Sequence, residues 1–396
     1  MAGPSLEGIV NPDLLIWARE ASHLNRMEAA AHLGRSVTEA KLQAWEEGKA
    51  FPTITQLRKV ARLYKRSIGV FFLRERPRVT PAPRDFRRVE LSYQHTMSPA
   101  LANGIRLAES KREAALDIYA QQDEEPPAFG IVADPAGAPE QIAQTMLAQL
   151  RVSMEDRRGW ASEYDALNAW KVAVEALGVL VMQVSRVSVS EMRGCSLALF
   201  PLPVIILNAS DKPLGRIFSL LHELTHLARA ESGLCDVLEE ADRTDDQQRV
   251  EIYCNHVAGA ILVPMRELLA QPLVANTPER REWNTDEMLA LRQIFWASRE
   301  SILRRLLIAG RATQQFYQAE RARIREMFAA DEGASSGGFV AFPRRVVLTN
   351  GRFLTGLAVG AYDANVITGT ELSRILGTKL DHLPKIISVL KEREAA

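Results

Sequence analysis

The sequence predicts a mostly helical α+β protein. A helical bundle opens the chain, a central domain holds a small sheet, and a helical region closes it. Three observations carry this reading. Helical periodicity runs through most of the 396 residues. Short segments rich in Val, Leu and Ile gather in one place, 179–207, bounded by Gly, Ser and Pro. Two stretches, the proline-bearing 76–88 and the Gly/Ser-rich 331–339, read as connectors. The resulting divisions are 1–75, a connector and helical region at 76–158, the domain with the sheet at 159–312, and a carboxy-terminal helical region at 313–396.

Composition narrows the function classes. Forty-nine Lys+Arg balance 49 Asp+Glu, so the chain has no uniformly basic coat for nucleic acid, although a local basic patch remains open. Three cysteines, Cys195, Cys235 and Cys254, are too few for a disulfide framework and fit a reducing compartment. The first twenty residues lack a basic start followed by an apolar run, and no stretch approaches the roughly 18 apolar residues of a membrane span. A cytoplasmic protein with no membrane partner is expected.

Residues 11–73 read as consecutive helices at about 13–21, 26–33, 38–46 and 54–64, with a short one near 68–73. Gly34 and Gly48 end the second and third. Leu15, Trp17, Ala18, Ala29, Leu33, Val37, Leu42, Trp45, Leu57, Val60, Ala61 and Leu63 would form the core. Short helix, glycine-bearing turn and second helix is the helix-turn-helix arrangement. Ala-x-x-Leu-Gly-x-Ser-Val, Leu-x-x-Trp-Glu-x-Gly and Pro-Thr-x-x-Gln-Leu resemble the XRE-type (Cro/repressor-like) helix-turn-helix family. The resemblance implies that Thr38, Glu39, Lys41 and Gln43 face a major groove and that Arg35, Ser36 and Lys49 touch phosphates. The charge is less favourable. Residues 1–50 carry five Lys/Arg against seven Asp/Glu, and the excess, eleven against three, falls in 51–90. A protein-binding module of the same fold is the competing reading.

Beyond the first connector, helices are expected within 93–125, 139–151 and 163–177, the last ending at Gly178. Strands follow at 179–184, 196–200 and 204–207, then helices at about 214–230, 246–261, 285–293 and 297–309. The final segment, 340–396, reads as a short strand or turn followed by helices.

The strongest motif is His222-Glu223-Leu224-Thr225-His226. Four residues advance a helix by about 400°, so both imidazoles leave one face a turn apart, as two metal ligands must. Glu223 lies beside them and can reach a water activated by the metal. Ile217, Leu220, Leu221, Leu224 and Leu227 follow the helical period and predict a buried helix. A hydrolytic zinc site needs a third protein ligand. Glu251 is the best candidate, at the start of an apolar segment, 251–264; Asp236, Glu239, Glu240 and His256 remain alternatives. A first-turn carboxylate that merely favours the helix dipole would also explain Glu251.

The segments HELTHLARAESGLCD and EIYCNHVAGAILVP resemble the ImmA/IrrE family of metallo-endopeptidases. In this pattern Asn255 and Pro264 belong to the second helix signature, and Ser298, Arg304 and Arg305 to a later one. The resemblance covers about 160–310. It implies a zincin-like fold, Zn2+ held by His222, His226 and Glu251 in a gluzincin-like site, and Glu223 as general base. It also implies that a strand around 192–199 offers its edge to an extended peptide. His256 is a weak candidate for oxyanion stabilisation, set against a partly buried helical histidine. Cys235 or Cys254 could compete for the metal as thiolate, set against a small buried hydrophobe.

Residues 350–392 resemble the tail of fused helix-turn-helix/peptidase proteins and could be a cap, a dimer contact or a partner-binding element. The expected function is a regulatory zinc endopeptidase coupled to DNA binding, with a protein substrate such as a repressor. The alternative is a DNA-binding regulator or antitoxin that holds a cognate partner protein, its peptidase fold serving as sensor or scaffold. A homodimer is expected from two half-site reading.

Overall fold

Capping side chains decide where the amino-terminal helices begin. The computed structural model describes residues 10–22, 24–34, 37–64, 66–76, 97–131, 137–229, 233–235, 245–277, 280–331 and 340–392. It divides into two units, Met1–Ala82 with Leu91–Leu107, and Pro83–Glu90 with Ala108–Ala396.

The first unit contains α1 (Pro12–Glu20), α2 (Arg26–Leu33), α3 (Glu39–Glu46), α4 (Ile54–Leu63) and a 3-10 turn, Ile68–Phe72. Asn25 and Glu28 form a capping box before α2, and Thr53 and Gln56 form one before α4. Thr38 is the N-cap of α3 rather than its first residue, because its hydroxyl accepts from the Lys41 amide. Every residue expected in this core is buried except Leu63, which is half-buried; Leu14, Tyr64 and Phe71 complete the core. Inside, the carboxylate of Glu46 accepts from Arg19 Nε at 2.6 Å and Arg26 Nε at 2.7 Å, tying α3 to α1 and α2.

The division between units falls within α5 (Pro99–Gln121). The second unit continues with α6 (Pro139–Leu150), α7 (Met154–Arg158), α8 (Glu163–Glu175), β1 (Leu180–Val184), β2 (Gly194–Leu197), β3 (Val204–Asn208), α9 (Pro213–Ala228), β4 (Gly233–Cys235) and α10 (Asp245–Leu262). Then come α11 (Met265–Leu269), α12 (Pro272–Ala275), α13 (Thr285–Phe295), α14 (Arg299–Ile308) and α15 (Gln314–Asp331). The chain closes with α16 (Phe342–Asn350), α17 (Arg352–Asp363), α18 (Gly369–Leu376), a 3-10 turn and α19 (Leu383–Lys391).

The sheet has the order β1-β3-β2-β4, with β1 parallel to β3 and the other pairs antiparallel. Two expectations fail here. The second strand begins at Gly194 and ends at Leu197, not 196–200, because the carbonyls of Leu199, Pro201 and Leu202 turn instead to the Arg112 guanidinium. Nor does it offer an edge: Gly194, Cys195 and Ser196 pair with β4, which covers it. The expected start of 340–396 as a short strand or turn is also replaced, since α16 begins at Phe342 with Pro343 in its first turn.

The carboxy-terminal helices pack within this unit. Asn350 donates to the carbonyls of Val346 at 2.8 Å and Leu376 at 3.1 Å, and its side-chain oxygen accepts from the buried Lys111 ammonium. The buried Glu175 on α8 accepts from the Phe353 amide at 3.3 Å. Burial pushes the Glu175 carboxyl up to about 7, with Lys171 and the amides of Phe353 and Arg352 partly opposing it. A carboxyl raised on folding binds more protons folded than unfolded between its ordinary value and about 7. Its contribution to stability is therefore full at low pH and is lost as pH rises through that window. Denaturant titrations should show Glu175→Gln flattening this decline; an unchanged pH profile would contradict it.

Candidate metal centre

The helix that carries the motif is buried on nearly every side. In α9, Leu214, Ile217, Leu220, Leu221, Leu224 and Leu227 are all buried, and so are Thr225, His222, Glu223 and His226. Proline at its first position presets the backbone without losing a needed amide. The helix packs between β2 and β3 on one side and α8 and α10 on others. Apolar neighbours thus fix where two imidazoles and a carboxylate sit, and little water reaches them.

Glu251 completes the arrangement from α10. It is seven residues into that helix rather than at its start, so favouring the helix dipole does not explain it. Its two oxygens lie 3.4 Å from His222 Nε2 and 3.3 Å from His226 Nε2, and the two Nε2 atoms lie 3.1 Å apart. Donors bound tetrahedrally to an ion at about 2.0–2.1 Å sit about 3.3–3.4 Å from one another. The two contacts of Glu251 use different oxygens of the carboxylate; with one ligand atom from each residue the three donors lie within 4.8 Å of one another, and their type, two imidazoles and a carboxylate, suits a zinc ion. Burial works to raise the Glu251 carboxyl. The hydrogen bonds and charges of the two imidazoles outweigh it and hold the group well below the usual carboxylate range.

Two buried arginines hold the other end of α10. Arg157 of α7 donates to the carbonyls of Leu262 at 2.5 Å and Ile261 at 3.0 Å, with its guanidinium 4.8 Å from the Trp170 ring. Arg305 of α14 donates to the Val263 carbonyl at 2.9 Å and forks onto Glu140 at 2.5 and 3.0 Å. The last carbonyls of a helix lack partners of their own, and cations suit its negative end. Burial lowers the Arg157 guanidinium to about 10, which still leaves it charged at neutral pH.

His256, one of the alternatives, stands apart from the cluster. His256 leaves α10 about 140° from Glu251 and pairs with Glu140 at 2.9 Å, so it is a partly buried helical histidine outside the cluster. Cys254 is fully buried, its thiol hydrogen-bonded to His226, and burial pushes that thiol up. Asp236, Glu239 and Glu240 lie outside the described residues, as does the side chain of Cys235. Among the described residues, His222, His226 and Glu251 are the one such group of three. Gly194 of β2 was not anticipated. Its backbone lies against the Glu223 carboxylate, and the only hint in the sequence is a glycine inside a strand pattern.

In the first unit Thr38, Glu39, Lys41, Gln43 and Lys49 are all exposed on α3 and the turn after it, while Arg35 and Ser36 lie outside the described residues. Glu47 sits among them. Its carboxylate accepts from Gln43 at 2.6 Å and pairs with Lys49 at 2.6 Å, which together hold it below the usual range, Lys49 foremost.

Residues 174–307 match the family model Peptidase_M78, the IrrE N-terminal-like domain. The match spans β1 to α14 and contains all four motif residues. This part of the chain is a metallopeptidase-type domain; the first unit and the helices from α15 onward lie outside the match. Searches of curated proteins and of solved structures return no match. Among the described residues no helix is long and apolar enough to cross a membrane.

A preformed donor set should respond to metal without substrate. Free Zn2+ at a hundred times Kd should add about 2.7 kcal/mol of stability and so raise the melting temperature. His226→Ala and Glu251→Ala should each abolish the response in differential scanning fluorimetry. A response that survives both would put the site elsewhere. Separately, Arg157→Met should cost about 1–3 kcal/mol for each orphaned carbonyl of α10, read by urea unfolding.

Proposed function

We propose that the chain is a regulatory zinc-dependent endopeptidase whose amino-terminal helices bind DNA. The observation that carries the catalytic reading is the convergence of His222, His226 and Glu251 within 3.1–3.4 Å, with Glu223 buried between the two histidines in sequence. Held by those three residues, zinc would polarise a water and a scissile carbonyl. Glu223 would take the proton from the attacking water and deliver it to the leaving amine. The nearly dry surroundings strengthen each electrostatic contact made there. A protein that only needed a structural metal would have use for the ligands but none for Glu223. The substrate would be a regulatory protein such as a repressor.

The test compares wild type with Glu223→Gln. Both should carry about one zinc by elemental analysis, and only wild type should cleave candidate partners encoded by neighbouring genes. Zinc in both with no cleavage by either, but stable partner or operator binding, would favour the regulator or antitoxin reading instead.

Exposed α3 supports DNA contact through Lys41 and Gln43, with Thr38 spent on capping and Glu39 repelling phosphate or seeking a cytosine amino group. Two copies of the chain would read two half-sites. Glu47 competes with phosphate for Lys49 and with bases for Gln43. Electrophoretic mobility shifts should therefore show Glu47→Gln binding duplex DNA more tightly at low salt. The slope of log K against log salt should steepen by about one unit as Lys49 gains a phosphate. Unchanged binding would remove α3 from the interface.

A further inference from the structure

Gly194 occupies a position where the backbone has no need of glycine. It is the first residue of β2, paired with Leu207 on β3 and Cys235 on β4, and its φ is not positive. Glycine weakens a strand through its entropy and its missing side chain, so its presence asks for another reason. The reason is space. A Cβ at 194 would lie 2.9 Å from Glu223 Oε1, 3.0 Å from its Cγ and 3.3 Å from its Cδ. All three of the nearest atoms belong to Glu223, so the Glu223 side chain fills the volume that a residue at 194 would otherwise take.

The encroachment reaches the stem of the side chain. Moving only the terminal oxygen would not relieve a 3.0 Å approach to Cγ. Glu223 is also fully buried, flanked on α9 by buried His222 and Leu224, so it has no solvent to swing into. Interiors are packed densely enough that an added methyl displaces its neighbour.

We propose that Gly194 is the positioning residue for Glu223: the bare strand backbone is the wall against which the general base is set. Any side chain at 194 shifts that carboxylate while leaving His222, His226 and Glu251, which lie on α9 and α10, in place. The catalytic meaning rests on the peptidase reading above; the packing claim does not.

The test is a double-mutant cycle of Gly194→Ala and Glu223→Ala in the full chain. In wild type, Gly194→Ala should lower the melting temperature by several degrees. In the Glu223→Ala background, where the obstructing atoms are gone, the same change should leave it unaltered. Zinc content should stay the same in all four proteins. With a cleaved partner, Gly194→Ala, which forces the carboxylate to move by a few tenths of an ångström, should reduce kcat about tenfold, with KM changed less than about twofold. An equal loss of stability in both backgrounds would overturn the proposal, since the residue would then act through the strand. Coupling with kcat unchanged would overturn it too. If wild type cleaves nothing, the peptidase reading fails, while the cycle, read without substrate, still decides whether Gly194 sets Glu223.

Discussion

Two imidazole nitrogens 3.1 Å apart, each 3.3–3.4 Å from an oxygen of one carboxylate in a space nearly closed to water, place a demand on everything around them. Polar groups so close and so buried lose hydration, and only a shared partner or mutual hydrogen bonds offset that loss. Two helices must therefore be locked in both rotation and height. For α9 the lock is apolar: leucines and isoleucine on successive faces meet the sheet, α8 and α10. For α10 it is partly ionic. Arg157 takes up its last two carbonyls and Arg305 the carbonyl of Val263 just after it, and Arg305 is itself fastened to Glu140. A helix anchored at its far end presents Glu251 at a fixed height opposite the imidazoles.

Two glutamates with different surroundings, Glu223 on α9 and Glu251 on α10, follow from this frame. Glu251 lies between two imidazoles whose hydrogen bonds favour its charged form, which suits a ligand. Glu223 instead rests against strand backbone at Gly194, with no side chain between them. On the proposed peptidase reading, the same residue type would hold the metal in one place and move the proton in the other, the difference set by environment.

Much of this was legible in the sequence, and the reasons for the remainder are physical. Local chemistry fixed the amino-terminal helices to within about a residue, because Asn25, Thr38 and Thr53 cap through their own side chains. Spacing within one helix placed His222 and His226 on a common face. The partner from another helix could not be read that way, since spacing says nothing about which carboxylate a fold brings near; Glu251 rested on resemblance until the distances separated it from His256. β4 is three residues long and begins with glycine, too brief for any pattern, so β2 seemed to be an edge. Arg157 and Arg305 were unreadable as interior residues because arginine is ordinarily an exposed type.

The central claim is that His222, His226 and Glu251 hold a single zinc ion. X-ray absorption spectroscopy on the zinc-loaded protein tests it most directly. The account predicts a first shell of nitrogen and oxygen at about 2.0–2.1 Å with the outer-shell scattering of two imidazoles. A sulfur contribution at about 2.3 Å would mean that Cys254 or Cys235 binds the metal, and would contradict the assignment.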